Sequence, residues 1–531
     1  MATPTSTLKI CSGVMLDRTY QNTIWFNSPT SQKVYFEGKV VKTFSSYSYL
    51  RKRWNIDVQA TPEQAQSWTY LFFKNSANAK TYYYFINDVE YINENCVRLH
   101  LELDVMQTYA FDYTLARSFV EREHIAVDNI GDNLLDEGLD LGDYLVQNEQ
   151  NIPLSELCIL VLSTLNPEHT EKDVNARNVG SSVDGVFAGL GLYAVDMADY
   201  LTWGLKLSEL DEWGKSDCIV SMWMYPKELV RLTGQTWDDG TLCKNVAGIK
   251  GKTVQNTMFD DSALGDYTEV RNRKLFTYPY QVLYASNNAG SFAEYKFEYF
   301  NDPSHIDFRF SGAISPEGVC KLIPLNYKGD GEAYEEGLTL GGFPTCAWNQ
   351  DVYKLWLAQN QNSNNLALAQ GSAAIAGGLI TTIATGGAGG LAGAGMAYSG
   401  LNQIMGTLAR AQDMKVQPPQ AKGQFSANVN IVNNKQTFTL QHKVISPYYA
   451  RIVDDFFDLY GYKTHIVKIP NRHVRENWTY TKTIGCNVYG NIPMSDLSQI
   501  KSIFDNGITF WVQGDLIGNY GLSNKCLMEV N

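Results

Sequence analysis

Val97, Leu99, Leu101, Leu103 and Val105 alternate with Arg98, His100, Glu102 and Asp104. A period of two marks a strand with one buried face. The aromatic run 81–91 before it, closed by Asn93-Glu94-Asn95, predicts the other arm of an antiparallel hairpin. Upstream, Thr61-Pro62-Glu63-Gln64 carries an N-cap Thr, Pro at the first helical position and Gln three residues after the cap. That pattern predicts a helix running to about residue 72. The other end of the chain is built in the same style. Strands are expected at 424–432 and 436–444, joined across Asn433-Asn434. Ser446-Pro447 should open a helix with Ile452, Phe456 and Leu459 on its apolar face, ended by Gly461. Strands at 463–469 and 478–488 follow, then a helix over about 495–505 closed by Asn506-Gly507, and a last strand at 508–512. From 436 onward the order β-α-β-β-α-β predicts a split βαβ sandwich of the ferredoxin-like kind. A shared local plan at 55–85 and 487–511 suggests two related terminal domains. Between them, 125–335 is Gly- and Asp-rich with short strand candidates and no consistent period.

One stretch breaks this pattern. Between Lys354 and Arg410 the chain has no Asp, Glu, Lys, Arg or His, and its centre reads GSAAIAGGLITTIATGGAGGLAGAGMAYSG. It is long enough to span a bilayer, which takes about 20 apolar residues in a helix. It lies inside the chain, so it is no signal peptide. Its apolar positions include Ile375, Leu379, Ile380, Ile383, Leu391, Met396, Leu401 and Ile404, and Gly386 and Gly390 stand four residues apart. Small residues at that spacing let helices pack closely in lipid. Its flanks read as helical, and Pro418-Pro419 stops the second, so a helical hairpin is expected with its tip near 386–390. Two readings stand side by side: a membrane-active segment, and a hairpin enclosed in protein inside an oligomer.

A length of 531 residues calls for more than one domain. The 32 Tyr residues favour strands and interfaces over helical bundles. A net charge of −13 argues against nucleic-acid binding, which rests on Lys and Arg neutralising phosphate, but not against a channel that lets DNA pass unheld. Nine cysteines, an odd number with no CxxC pair, fit free thiols in a reducing cytoplasm. No export signal is recognisable at Met1. No metal or cofactor site and no catalytic constellation is expected. Gly251-Lys252-Thr253 lacks the upstream Gly of a phosphate loop, with Val246 in its place, and Glu121-Arg122-Glu123-His124 lacks the paired His of a zinc protease. Against the acidic whole, Lys463, Lys468, Arg472, His473 and Arg475 form a basic strip. It is either a solvated or subunit-facing edge, or a contact with passing DNA or a neighbouring tail protein.

Three groups of residues carry a resemblance. They are Leu101-Glu102-Leu103-Asp104-Val105-Met106-Gln107-Thr108 with Val120-Glu121-Arg122-Glu123-His124 and Asp136-Glu137-Gly138-Leu139; Phe456-Phe457-Asp458-Leu459-Tyr460-Gly461-Tyr462; and Ile503-Phe504-Asp505-Asn506-Gly507-Ile508-Thr509-Phe510-Trp511 with Ile517-Gly518-Asn519-Tyr520. In that order they resemble the distal tail knob proteins of phi29-like short-tailed bacteriophages. The resemblance implies an α+β, mainly β chain: a terminal tube domain at 1–124, a middle region at 125–335 forming the knob's outer wall, a membrane-active loop with helical flanks at 336–420, and a second tube domain at 421–531. It implies a hexamer at the tail tip of the virion, made in the host cytoplasm in company with other tail proteins. DNA would pass through its lumen without specific binding. Its apolar loops would plug that lumen, then insert into host membrane lipid for genome ejection. The alternatives are a free pore-forming or fusogenic protein, and a tail protein whose loop is a plug only. An enzyme is not expected.

Overall fold

The structure, a computed structural model, describes residues 6–47, 54–75, 80–154, 156–163, 182–183, 186–187, 191–199, 202–203, 219–288, 290–314, 319–340, 345–349 and 437–528. The fold is mainly β. Contacts divide the chain into two units: the first gathers Met1–Tyr144, Asp261–Tyr280 and Ile445–Asn531, the second Leu145–Asp260 and Gln281–Val444.

In the first unit, a six-stranded antiparallel sheet runs in the order Val40–Tyr47, Ser6–Ser12, Trp68–Asn75, Thr81–Asn93, Cys96–Leu103, Asn55–Gln59. The hairpin read from the sequence is present, with Ile86 opposite Leu101 and Val89 opposite Leu99. Both faces of this sheet are covered. Leu8, Ile10, Leu71, Phe73, Val97 and Leu99 pack on one side, and Cys11, Tyr70, Phe72, Tyr83 and Phe85 on the other. That two-sided burial explains a departure from the expected helix at 61–72. Only Pro62–Ala65 is helical, Thr61 gives no side-chain cap, and 68–75 is a strand. Successive large residues from Tyr70 to Phe73 all find a core when the strand is central, so pairing overrides the helical start signal. Val105 also leaves the expected strand. It opens the one-turn helix Val105–Thr108, because the Asp104 carboxylate accepts the N–H groups of Met106 and Gln107.

A second sheet of this unit runs Asn22–Ile24, Ile508–Trp511, Trp478–Ile484, Ser118–Glu123, Tyr462–Lys468. It replaces the expected ferredoxin-like sandwich. The strand Thr437–Ile445 pairs instead with Gln281–Ser286, and the distant Ser118–Glu123 takes the place between Tyr462–Lys468 and Trp478–Ile484. The helix Pro447–Tyr460 starts at Ser446, whose hydroxyl accepts the Tyr449 N–H, and stops at Gly461. Gly461 has φ +63, and a Cβ there would collide with the Glu123 backbone, so only glycine fits. The helix turns a different face inward than its apolar residues suggest: Ala450, Val453, Asp454, Phe457 and Asp458 are buried, while Ile452 is exposed. The helix Met494–Asn506 buries Ile500, Ile503 and Phe504 in the core that holds Tyr70 and Tyr83.

The second unit shows regular structure where the sequence shows no consistent period. One six-stranded sheet runs Val230–Leu232, Cys243–Ile249, Gly191–Asp196, Leu157–Ser163, Ile219–Pro226, Thr345–Asn349. Another is built on Lys252–Asn256, Ile306–Gly312 and Cys320–Tyr327, and a third runs Tyr144–Pro153, Thr437–Ile445, Gln281–Ser286, Phe292–Tyr295. They share one core, in which Phe308, Phe310, Leu322, Phe297 and Leu440 are fully buried. Gly251-Lys252-Thr253 lies at the start of an antiparallel strand, not in a strand-to-helix loop.

Candidate functional site

Asp454 and Asp458 are four residues apart, hence on one face of the helix Pro447–Tyr460. That face meets the stretch 261–280. The buried Asp454 carboxylate accepts from Tyr267 Oη at 2.6 Å, the Arg271 N–H at 3.0 Å and the Asn272 N–H at 3.1 Å. Arg271 is also ion-paired to Asp458 at 2.5 Å. Burial pushes the Asp458 carboxyl up, and the Arg271 charge pulls it back. Beside this group, Glu137 is paired with both Lys274 and Arg122 and accepts the Lys463 N–H at 3.0 Å. The Lys274 and Glu137 side chains are only 2% and 1% exposed. Burial lowers the Lys274 pKa and Glu137 opposes that. Tyr462 Oη donates to Asp128 at 2.8 Å, and the same carboxylate accepts the Arg273 N–H.

His124 completes the cluster. Its Nδ1 accepts the Tyr480 N–H at 2.8 Å, which places the proton on Nε2, facing the carbonyls of Phe457 and Asp458 at 3.2 and 3.1 Å. Burial and the Arg475 charge push its pKa down to about 3. Charges from three separated stretches thus neutralise one another in the interior. Among the described residues no cluster of His, Cys, Asp and Glu is placed to hold a metal. The arrangement is suited to locking chain segments in register. Cys11, Cys96, Cys158, Cys243, Cys320, Cys486 and Cys526 are free thiols.

The basic strip does not form one surface. Lys463 holds the Asp136 carbonyl at 3.2 Å, and Lys468 pairs at 2.5 Å with the buried Glu123. Arg472 lies over the Tyr113 ring, His473 stacks on Trp25 at 4.0 Å, and Arg475 is buried against the Asn524 carbonyl. The uncharged segment with Ile375, Leu379, Ile380, Ile383, Gly386, Gly390, Leu391, Met396, Leu401 and Ile404 lies outside the described residues, as does the strand expected at 424–432. Among the described residues no helix is long and apolar enough to cross a membrane.

Sequence reasoning missed one feature. A cavity of about 730 Å³ on the first unit is lined by Lys9, Lys33, Lys74 and Lys80 together with Glu37 and Asp112. The signal is faint because these lysines come from two strands, a helix and the residue before a third strand. Only the period-two pairs Thr7/Lys9 and Phe72/Lys74 hint that Lys9 and Lys74 share faces with their strand neighbours.

Residues 246–525 match the family described as Bacillus phage phi29, Tail knob protein gp9, C-terminal domain, and residues 4–114 match the Caudoviral major tail protein N-terminus. The chain is 25% identical to the tail knob protein gp9 of Bacillus phage B103 and 26% identical to that of Bacillus phage phi29, with 98% of each chain covered in both comparisons. The fold is similar to that of the bacteriophage C1 tail knob protein gp12, with a TM-score of 0.63 at 14% identity over 98% of this chain and 100% of that one.

Proposed function

The chain belongs to the phi29 tail knob protein gp9 family, and from that premise we propose that it closes the distal end of a short phage tail as a ring of six copies and opens the host membrane for genome ejection. It is a structural component of a phage tail, not an enzyme. In this reading the chain's two terminal regions line a tube, the apolar segment plugs the lumen, and the segment emerges on contact with the host cell to insert in lipid. The observation that carries the reading is the uncharged stretch between Lys354 and Arg410 in an otherwise ordinary charged chain. An apolar stretch of that length, permanently exposed, would aggregate the particle, so it must be sheltered first and released later. The net charge of −13 suits a lumen that repels DNA and lets it slide. The free thiols suit assembly in a reducing cytoplasm.

The segment itself supplies the test. Gly and Thr dilute its Ile and Leu, so it has little margin for a charge. A carboxylate at the centre of a membrane helix costs on the order of 3 kcal/mol, and a ring repeats it in every copy. Ile380→Asp or Leu391→Asp should abolish triggered leakage of liposomes while sparing assembly. Variants that leak like the parent reduce the segment to a plug. Deletion of 366–408 should leave an assembling protein whose virions adsorb but do not deliver DNA, and normal infectivity of such particles removes the segment from the mechanism.

A further inference from the structure

The cavity on the first unit is a groove with a charge imbalance. Its floor is three neighbouring strands, Ser6–Ser12, Trp68–Asn75 and Thr81–Asn93. One wall is the helix Pro29–Gly38, and Phe111 and Asp112 contribute to the lining beyond it. Glu37 occupies Lys9 at 2.5 Å and Asp112 occupies Lys80 at 2.6 Å. Lys33 and Lys74 are exposed and have no ion pair among the described residues. The groove therefore keeps two uncompensated ammonium groups, with the exposed Phe111 beside them.

The same unit carries a segment of complementary character. From Ile125 to Asp143 there is no Lys, Arg or His, and six carboxylates. Asp128 and Glu137 are used inside, while Asp132, Asp136, Asp140 and Asp143 are exposed, with Leu134 and Leu135 at 39% and 42% exposure between them. Between the strands Ser118–Glu123 and Tyr144–Pro153 this stretch has no helix or strand of its own. Such long structureless connections in compact domains are uncommon and usually functional. It is nevertheless held in place. Glu137 is fixed by Lys274 and Arg122, the Leu135 carbonyl by Lys274 at 2.8 Å, and Asp136 and Asp140 close turns on the Gly138 and Gly142 N–H groups. A rigid arm loses little entropy on docking.

We propose that the acidic arm 129–143 of one copy docks in the basic groove of the next, Leu134 and Leu135 against Phe111 and the Asp carboxylates against Lys33 and Lys74. The contact rests on the ring reading above and gives it an interface. Because groove and arm are different surfaces, the contact is head-to-tail, the kind that closes rings or propagates filaments. A volume of about 730 Å³ suits a few side chains, not a folded domain.

The test uses the full chain, with assembly read by sedimentation. Lys33→Glu/Lys74→Glu alone, or Asp132→Lys/Asp143→Lys alone, should weaken assembly at least tenfold, with circular dichroism unchanged. Mixing the two variants should restore it, since each reversed groove then meets a reversed arm. A parent that stays monomeric sinks the ring and this contact together. A parent ring with indifferent single variants, or a mixture that stays apart, sinks only the contact. Groove variants that assemble normally but lose binding of inorganic tripolyphosphate make the groove a small-anion site and overturn the arm as its occupant.

Discussion

The first unit buries Glu137 against Lys274, Asp454 against Arg271, and His124 between a backbone N–H and two carbonyls. The second buries Phe308, Phe310, Phe297 and Leu322 in a continuous core, and its Tyr295 and Tyr327 rings meet edge to face at 5.5 Å. The second unit has a buried cation of its own, Lys244 at 3.5 Å from Asp239, but those partners are near neighbours in sequence. The first unit's pairs join distant stretches, and connectivity accounts for that difference. The second unit joins two long stretches, and the first must bring together three, one of them only the 20 residues 261–280. Apolar burial is strong but non-directional. Charged groups in the interior are costly in any arrangement but the one that neutralises them. On this hypothesis the ionic cluster sets which segments meet, and the apolar cores supply most of the stability.

The largest effect should come from breaking one side of the cluster. Glu137→Gln leaves Lys274 and Arg122 without their counter-charge, at a cost of about 3–5 kcal/mol. The loss should appear as lowered hydrogen-exchange protection in the first unit, with the second unit unchanged. Replacing the pair together, Glu137→Leu with Lys274→Met, should recover the part that comes from the stranded Lys274, while Arg122 keeps only its bond to the Gly461 carbonyl. If the single change is as mild as the double one, the pair does not set register. Leu322→Ala, fully buried in the second unit, should cost about 2–5 kcal/mol through lost transfer energy and a cavity. Urea unfolding of that unit should show the same loss at pH 5 and pH 8.

The contrast sharpens with pH. His124 is neutral in the fold, its Nδ1 lone pair taken by the Tyr480 N–H. With its pKa lowered to about 3, its contribution is fully present above the unfolded value near 6.5 and is lost as pH falls toward 3. At pH 5 the loss amounts to about 2 kcal/mol. His442 of the second unit acts in the same sense with its pKa lowered to about 4, so its loss ends sooner. His124→Gln keeps a donor toward the Phe457 and Asp458 carbonyls and removes the titration. It should flatten the acid slope of the first unit measured by hydrogen exchange between pH 4 and 7; an unchanged slope assigns the acid lability elsewhere.

The same contrast explains what the sequence disclosed. Period two over 97–103 and the Ser446-Pro447 to Gly461 helix were legible because local signals and the core agree there. The face of that helix was not, because two of its inward residues, Asp454 and Asp458, read as solvent-facing until Arg271 and Asn272 are in view. The strand at 68–75 and the central placement of Ser118–Glu123 depend on partners tens to hundreds of residues away, which no local period encodes. The basic strip was legible as composition but not as a surface. The lysine groove was barely legible, since its members meet only through sheet pairing and the packing of the helix Pro29–Gly38.

The smallest effects separate the members of that strip. Lys468→Met removes the cation beside Glu123, which is buried and already pushed up in pKa by desolvation, although the Asn471 N–H still holds the carboxylate. A loss of about 1–2 kcal/mol is expected, the cost of a weakened partner for a buried polar group. Lys463→Met gives up only a single bond from an exposed ammonium to the Asp136 carbonyl, because the Glu137 contact uses the Lys463 backbone N–H and survives the change. Its cost should stay within about 0.5 kcal/mol. A contact with passing DNA or a neighbouring tail protein would reverse the ranking in function. Lys463→Glu would then slow DNA delivery or tail assembly with stability intact, while Lys468→Met would act only in proportion to the stability it removes. Melting curves for both variants, set beside plaque counts from virions carrying them, decide between the two. Equal and silent behaviour of Lys463→Glu in every assay leaves the strip a solvated edge.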